Sequence, residues 1–108
     1  MTANLGEFEQ LVLLALLRLG GDGYGVSVQV ELGRQAGRAV SLGTVYKTLF
    51  RMESKGLVSA HLGEPTAERG GRRKKYYAVT LAGRRALQRS LAALRKLSRG
   101  LDAALGLP

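Results

Sequence analysis

Hydrophobic and polar residues alternate along this chain in two rhythms, one helical and one extended. In "LGEFEQLVLLALLRL" apolar side chains stand at Leu5, Phe8, Leu11, Val12, Leu13, Leu14, Leu16, Leu17 and Leu19, without proline or a β-branched run. That pattern predicts a helix over 5–19, apolar on nearly all sides from Leu11 onward. Such a helix is buried on more than one face, and a 108-residue monomer would struggle to cover it, so a partner chain is the simple remedy. "GGDGYG" then breaks the helix and reads as a turn, because no strand precedes its glycines and no Lys follows them as a phosphate-cradling loop requires. From Tyr24 to Ala36 two periods compete: Val26, Val28, Val30 and Leu32 alternate, while Tyr24, Val28 and Leu32 follow the i, i+4 spacing. Gly37 as a C-terminal stop favours a helix, with "RAVS" following as a short strand.

Ser41 is a good N-cap for a third helix, in which Leu42, Val45, Leu49 and Met52 share one face and Gly56 supplies the stop. The opposite face carries Thr44, Lys47, Thr48 and Arg51. Short hydroxyls and long cations can donate to phosphates and base edges. "LVSAHL" and "KYYAVT" alternate as strands of a half-buried hairpin, and between them lies the basic stretch "ERGGRRKK". Thr80 can cap a last helix running to about Leu105. Its residues Leu87, Leu91, Leu94, Ser98, Leu101 and Leu105 recur at coiled-coil spacing. This seam is read as a dimer contact rather than as a helix lying on its own core, with Leu11 and Leu14 of the first helix meeting the same interface.

Charge sharpens the picture. The net +9 is uneven: residues 1–37 hold two Arg against four acids, residues 38–80 hold nine Lys or Arg against three, and residues 81–108 hold six against one. A basic middle and end point to a polyanion, either nucleic acid or an anionic membrane surface. The chain has no cysteine and one histidine, His61, which leaves no thiolate site, no metal site and no nucleophile with a base, and no cofactor is expected. No nucleophile elbow or Walker loop occurs, so an enzyme is not expected. No apolar run reaches the ~18 residues of a membrane span. A cytoplasmic protein is the default.

In order the elements read helix, helix, short strand, helix, strand, basic loop, strand, long helix. The expected fold is mainly α with a small β-hairpin: a winged helix-turn-helix over 1–80 and an added C-terminal dimerisation helix over 81–108. In a winged helix the third helix can enter the major groove while the hairpin reaches phosphates or the minor groove. Gly70 and Gly71 would let the wing tip bend close to a backbone, with Arg69, Arg72, Arg73, Lys74 and Lys75 around them neutralising phosphates.

The segments "LGEFEQLVLLALLRLG", "YGVSV", "SLGTVYKTLFRMESKGLV", "LGEPTAERGGRRKKYYAVT" and "LAGRRAL" together resemble the PadR family of bacterial transcriptional regulators, in the family's order and over nearly the whole chain. The resemblance implies a dimeric winged-helix protein that binds double-stranded DNA and represses nearby genes, often its own operon, with its last helix crossing to the partner. It also implies Tyr46 near the phosphates and an aromatic departure at Phe50, where the family usually carries a polar or acidic residue. A small-molecule effector is possible within the family, and its chemistry is unknown here. The rival reading is an RNA-binding or ribosome-associated module, since "RGGRRKK" would also suit RNA, and no stacking platform with a family signature accompanies it. A membrane-surface role for the basic last helix ranks below both, because its seam has no Trp or Phe anchors.

Overall fold

The structure, a computed structural model, describes residues 4–64 and 73–108. Helix α1 spans Glu7–Leu19 and starts where the Gly6 N–H donates to Oε1 of Glu9 at 2.9 Å, an acid in the first turn satisfying a free amide. A single 3-10 turn at Gly20–Asp22 leads to α2, Gly25–Ala36, which closes on Gly37 in the left-handed conformation (φ 64°). The helical period prevails in α2 because Val28 and Leu32 face the core, leaving Val26 and Val30 in solvent. Helix α3, Leu42–Ser54, begins as expected at Ser41, whose Oγ accepts from the Thr44 N–H at 3.1 Å.

Strands β1, Val58–Leu62, and β2, Lys75–Val79, form an antiparallel hairpin pairing Val58 with Val79, Ala60 with Tyr77 and Leu62 with Lys75. The expected strand at "RAVS" is not formed: residues 38–41 are irregular, and the Gln29 side-chain amide donates to the Val40 carbonyl at 2.9 Å. The hairpin finds its third extended segment earlier in the chain. Tyr24 bridges Tyr76, and the Tyr77 N–H donates to the Gly23 carbonyl at 2.7 Å. Only glycine fits at 23 without displacement, since a Cβ there would stand 2.6 Å from Leu16 Cδ2 and 3.2 Å from the Tyr77 carbonyl oxygen.

The core gathers Val12, Leu13 and Leu16 of α1, Val28 and Leu32 of α2, Val45, Leu49 and Met52 of α3, and the ring of Tyr77. Its closure covers most of α1 from within the chain, which corrects the expectation that one small domain would struggle to do so. Leu11 and Leu14 remain half-buried, and Leu17 is more than a third exposed.

Thr80 joins the hairpin to α4, Leu81–Ser98: its Oγ1 donates to the Gly56 carbonyl at 2.6 Å and accepts from the Gly83 N–H at 3.1 Å. Ala86 and Leu87 then enter the core. Leu87 is therefore a residue of its own domain's core, 4% exposed, and not a free member of a seam; Leu91 is half-buried. The helix also stops short of Leu105. It ends at Ser98, the chain turns at Gly100 (φ 79°), and a separate short α5 covers Asp102–Leu105, so Leu101 does not continue the α4 stripe. From Ala92 to Pro108 every residue is exposed. Among the described residues no helix is long and apolar enough to cross a membrane.

Candidate nucleic-acid interface

Helix α3 turns about 100° per residue, which sorts its side chains by what they meet. Val45, Leu49 and Met52 point into the core. On the opposite side lie Gly43, Lys47, Phe50 and Ser54, all exposed and spaced as one stripe. Thr44 and Arg51 flank this stripe towards α1, and Tyr46 and Glu53 flank it towards the hairpin.

The α1 side is closed by a buried carboxylate. Glu9 is 5% exposed, and its Oε2 accepts from Arg51 Nε at 3.2 Å and from Lys55 Nζ at 3.3 Å. Burial by itself raises the Glu9 pKa; the Gly6 N–H, Arg51 and Lys55 together outweigh it and hold the carboxyl below its ordinary value of 4.5. Arg51, read from the sequence as facing outward, is thus turned along α3 towards α1, with its side chain half exposed. Thr48 requires a larger correction. It is 3% exposed, and its hydroxyl donates to the Thr44 carbonyl at 3.0 Å, one turn back along α3. Thr44 is exposed, with its hydroxyl 2.9 Å from that of Ser41. Lys47 is exposed, with its charge in solvent.

The hairpin side carries aromatic rings and cations. Tyr46 is half-buried and stacks on Phe50, with centroids 6.1 Å apart and planes at 23°. Its ring occupies the space that a side chain at Gly25 would fill. Lys75 of β2 reaches over Phe50, 5.1 Å from the ring centroid, and its Nζ donates to Glu53 Oε1 at 3.4 Å. On the other face of β2, Lys74 sits 4.4 Å over the Tyr24 ring, and Tyr76 packs against Tyr24 and His61. Arg73 and Lys74 are both exposed at the root of the wing. Arg69, Gly70, Gly71 and Arg72 lie outside the described residues.

Of the residues singled out from sequence, Thr44, Lys47, Arg73 and Lys74 are exposed, Tyr46 and Arg51 are partly engaged within the chain, and Thr48 is inside. One contributor was missed, Glu9, whose only sequence signal was an acid in the first turn of an apolar helix. Lys75, counted in the sequence among the wing cations, lies instead on the α3 side of β2, as strand alternation places it.

Comparison with known proteins supplies the family. Residues 13–89 match the model of the Transcriptional regulator PadR-like family. Among solved structures, a PadR-like transcription factor from Bacteroides fragilis is 26% identical with a TM-score of 0.73, over 90% of this chain and 88% of that one. A PadR family transcription regulator from hypervirulent Clostridium difficile R20291 is 26% identical with a TM-score of 0.72, over 93% and 99%. A PadR family transcriptional regulator from Eggerthella lenta DSM 2243 is 28% identical with a TM-score of 0.68, over 92% and 86%. No match was found among curated proteins. With its winged helix and its family match over residues 13–89, the chain belongs to the PadR-like family of transcriptional regulators and is a DNA-binding regulator rather than an enzyme.

Proposed function

We propose that this protein is a cytoplasmic homodimeric repressor that grips a roughly palindromic duplex operator with α3 in the major groove and the hairpin wing against neighbouring phosphates. The observation that carries the reading is the exposed stripe Gly43, Lys47, Phe50, Ser54, left uncovered by the chain's own packing, with Arg73 and Lys74 exposed at the wing root beside it. In this arrangement Thr44 and Lys47 reach base edges, Tyr46 lies near a phosphate, and the wing cations hold the backbone. Arg69, Gly70, Gly71 and Arg72 complete that wing contact. Thr48 supports the helix from behind.

Support for dimerisation comes from what α4 and α5 leave bare. Leu94, Leu97, Leu101 and Leu105 are 58%, 82%, 45% and 59% exposed. An open groove between the start of α1 and α4, lined by Leu5, Gln10, Ala86, Ala93, Leu94 and Leu97, gives a second copy a place to lie. A two-fold partner would cover both, together with Leu91 and the half-buried Leu11 and Leu14. Residues 1–80 then act as the winged-helix unit and 81–108 as the arm that joins two of them.

Selection of bound duplex fragments from the source genome tests the reading. It is expected to yield an inverted repeat whose half-sites lie about 34 to 36 Å, one helical turn, apart. Fragments without a shared motif, or stronger binding to single-stranded RNA, would overturn it.

A further inference from the structure

We propose that Phe50 is a specificity-determining residue that reads the 5-methyl group of a thymine in the major groove. The inference rests on the DNA-binding reading above and adds to it the chemistry of one base contact. Phe50 is 51% exposed, whereas Val45, Leu49 and Met52 on the same helix are fully buried, so the core does not account for its ring. It stands on the outward stripe of α3, about one turn after Lys47 and about 60° round the helix from it. The ring is also held in place. Tyr46 stacks against it at 6.1 Å, Tyr46 is seated over Gly25, and Lys75 lies 5.1 Å from the centroid. A ring fixed before binding loses little freedom when it makes a contact.

The surroundings say what that contact is. Lys47 carries its charge into solvent on this stripe, Arg73 is exposed at the wing root, and the nearby acid, Glu53, is matched by Lys75, so this side of the molecule is net cationic. An apolar protein surface gains little from docking among such charges, whereas a polyanion does. The major groove of duplex DNA offers one apolar group to an inserted side chain, the C5-methyl of thymine. An aromatic edge on the outward face of a groove-entering helix is matched to that methyl and forms no hydrogen bond to any base.

Deoxyuridine lacks this methyl and keeps every Watson–Crick and groove hydrogen-bonding group of thymine, so it isolates the contact. In the duplex site obtained by selection, each thymine is replaced singly by deoxyuridine and the full-length protein is titrated against every duplex. One position per half-site is expected to weaken wild-type binding about fourfold, the equivalent of one buried methyl. Phe50→Ala is expected to bind the unmodified site more weakly and to be indifferent to deoxyuridine at that position, while Phe50→Leu keeps part of the sensitivity. Denaturant unfolding of both variants confirms that each is folded, and if Phe50→Ala is not, the comparison of wild type with Phe50→Leu decides. Wild-type indifference to every replacement, or equal sensitivity in Phe50→Ala, overturns the proposal while leaving sequence-specific DNA binding intact. Failure to select any duplex site removes the DNA reading itself, which is a different result.

Discussion

Glu9 and Arg51, 42 positions apart, are joined by a hydrogen bond of 3.2 Å from a half-exposed guanidinium to a carboxylate whose side chain is 7% exposed. The pair ties α3 to α1 and turns one cation of α3 along the helix towards α1. Lys55 completes the neutralisation at 3.3 Å.

Replacing Glu9 with Gln keeps the size and the acceptor for the Gly6 N–H and removes the charge. The loss in unfolding free energy at neutral pH is expected to be about 1 to 2 kcal/mol, the lower part of the range for charged hydrogen bonds because both cations are open to solvent. The sign with pH follows from the depressed Glu9 pKa. The stabilisation is fully present above the unfolded value of 4.5 and is lost as pH falls through the lower folded value. Urea midpoints of wild type and Glu9→Gln are therefore expected to differ at pH 7 and to converge as pH falls through the lowered folded value; a constant gap would mean that the charge contributes nothing.

Gly83→Ala tests the seat of α4. An added methyl favours a helix by up to about 1 kcal/mol. At this position it meets the Leu57 carbonyl and Val79 Cγ1, and a backbone oxygen cannot move aside as a side-chain tip can. Overpacking of about 1 to 3 kcal/mol is expected to win, so the variant unfolds at lower urea than wild type. Gly43→Ala provides the contrast, because the nearest atom to its Cβ would be Ser41 Oγ at 4.0 Å. It is expected to raise stability by about 0.4 to 1 kcal/mol while weakening operator binding through bulk on the outward stripe.

The bare end of α4 yields a test of assembly. Leu94→Asp with Leu97→Asp alters side chains 58% and 82% exposed in the single chain, so the fold is expected to survive. A two-fold interface would have to bury those charges without partners, and sedimentation is expected to give a monomer that binds the full operator far more weakly than wild type. A dimer of unchanged affinity would place the interface elsewhere.

Salt dependence measures the wing. Arg73 and Lys74 are exposed, and the Lys74 ammonium rests over the Tyr24 ring. Changing both to Ala is expected to weaken binding to all duplexes alike and to make the slope of log K against log salt shallower by about 2 to 4 in a dimer, near 0.9 for each phosphate released. A loss confined to one operator would mean that these side chains read bases.

The strand expected at "RAVS" and an unbroken last helix to Leu105 do not form, whereas the first three helices, the caps at Ser41 and Thr80, the alternation of the hairpin and the basic run between its strands follow from the sequence alone. Each depends on neighbours within a few residues, where backbone sterics and period set the outcome. What lies against each face was decided by tertiary packing. Thr48 and Lys47 are adjacent polar residues on one helix, and only the packing of the rest of the chain against α3 puts the first inside and leaves the second in water. Arg51 looks outward until a carboxylate from 42 residues away reaches it. Leu87 and Leu94 share a heptad-like spacing, yet the first meets the core and the second projects beyond it, because α4 outruns the domain that supports its start. Periodicity records which side chains share a face, and burial depends on which distant segment arrives to cover it.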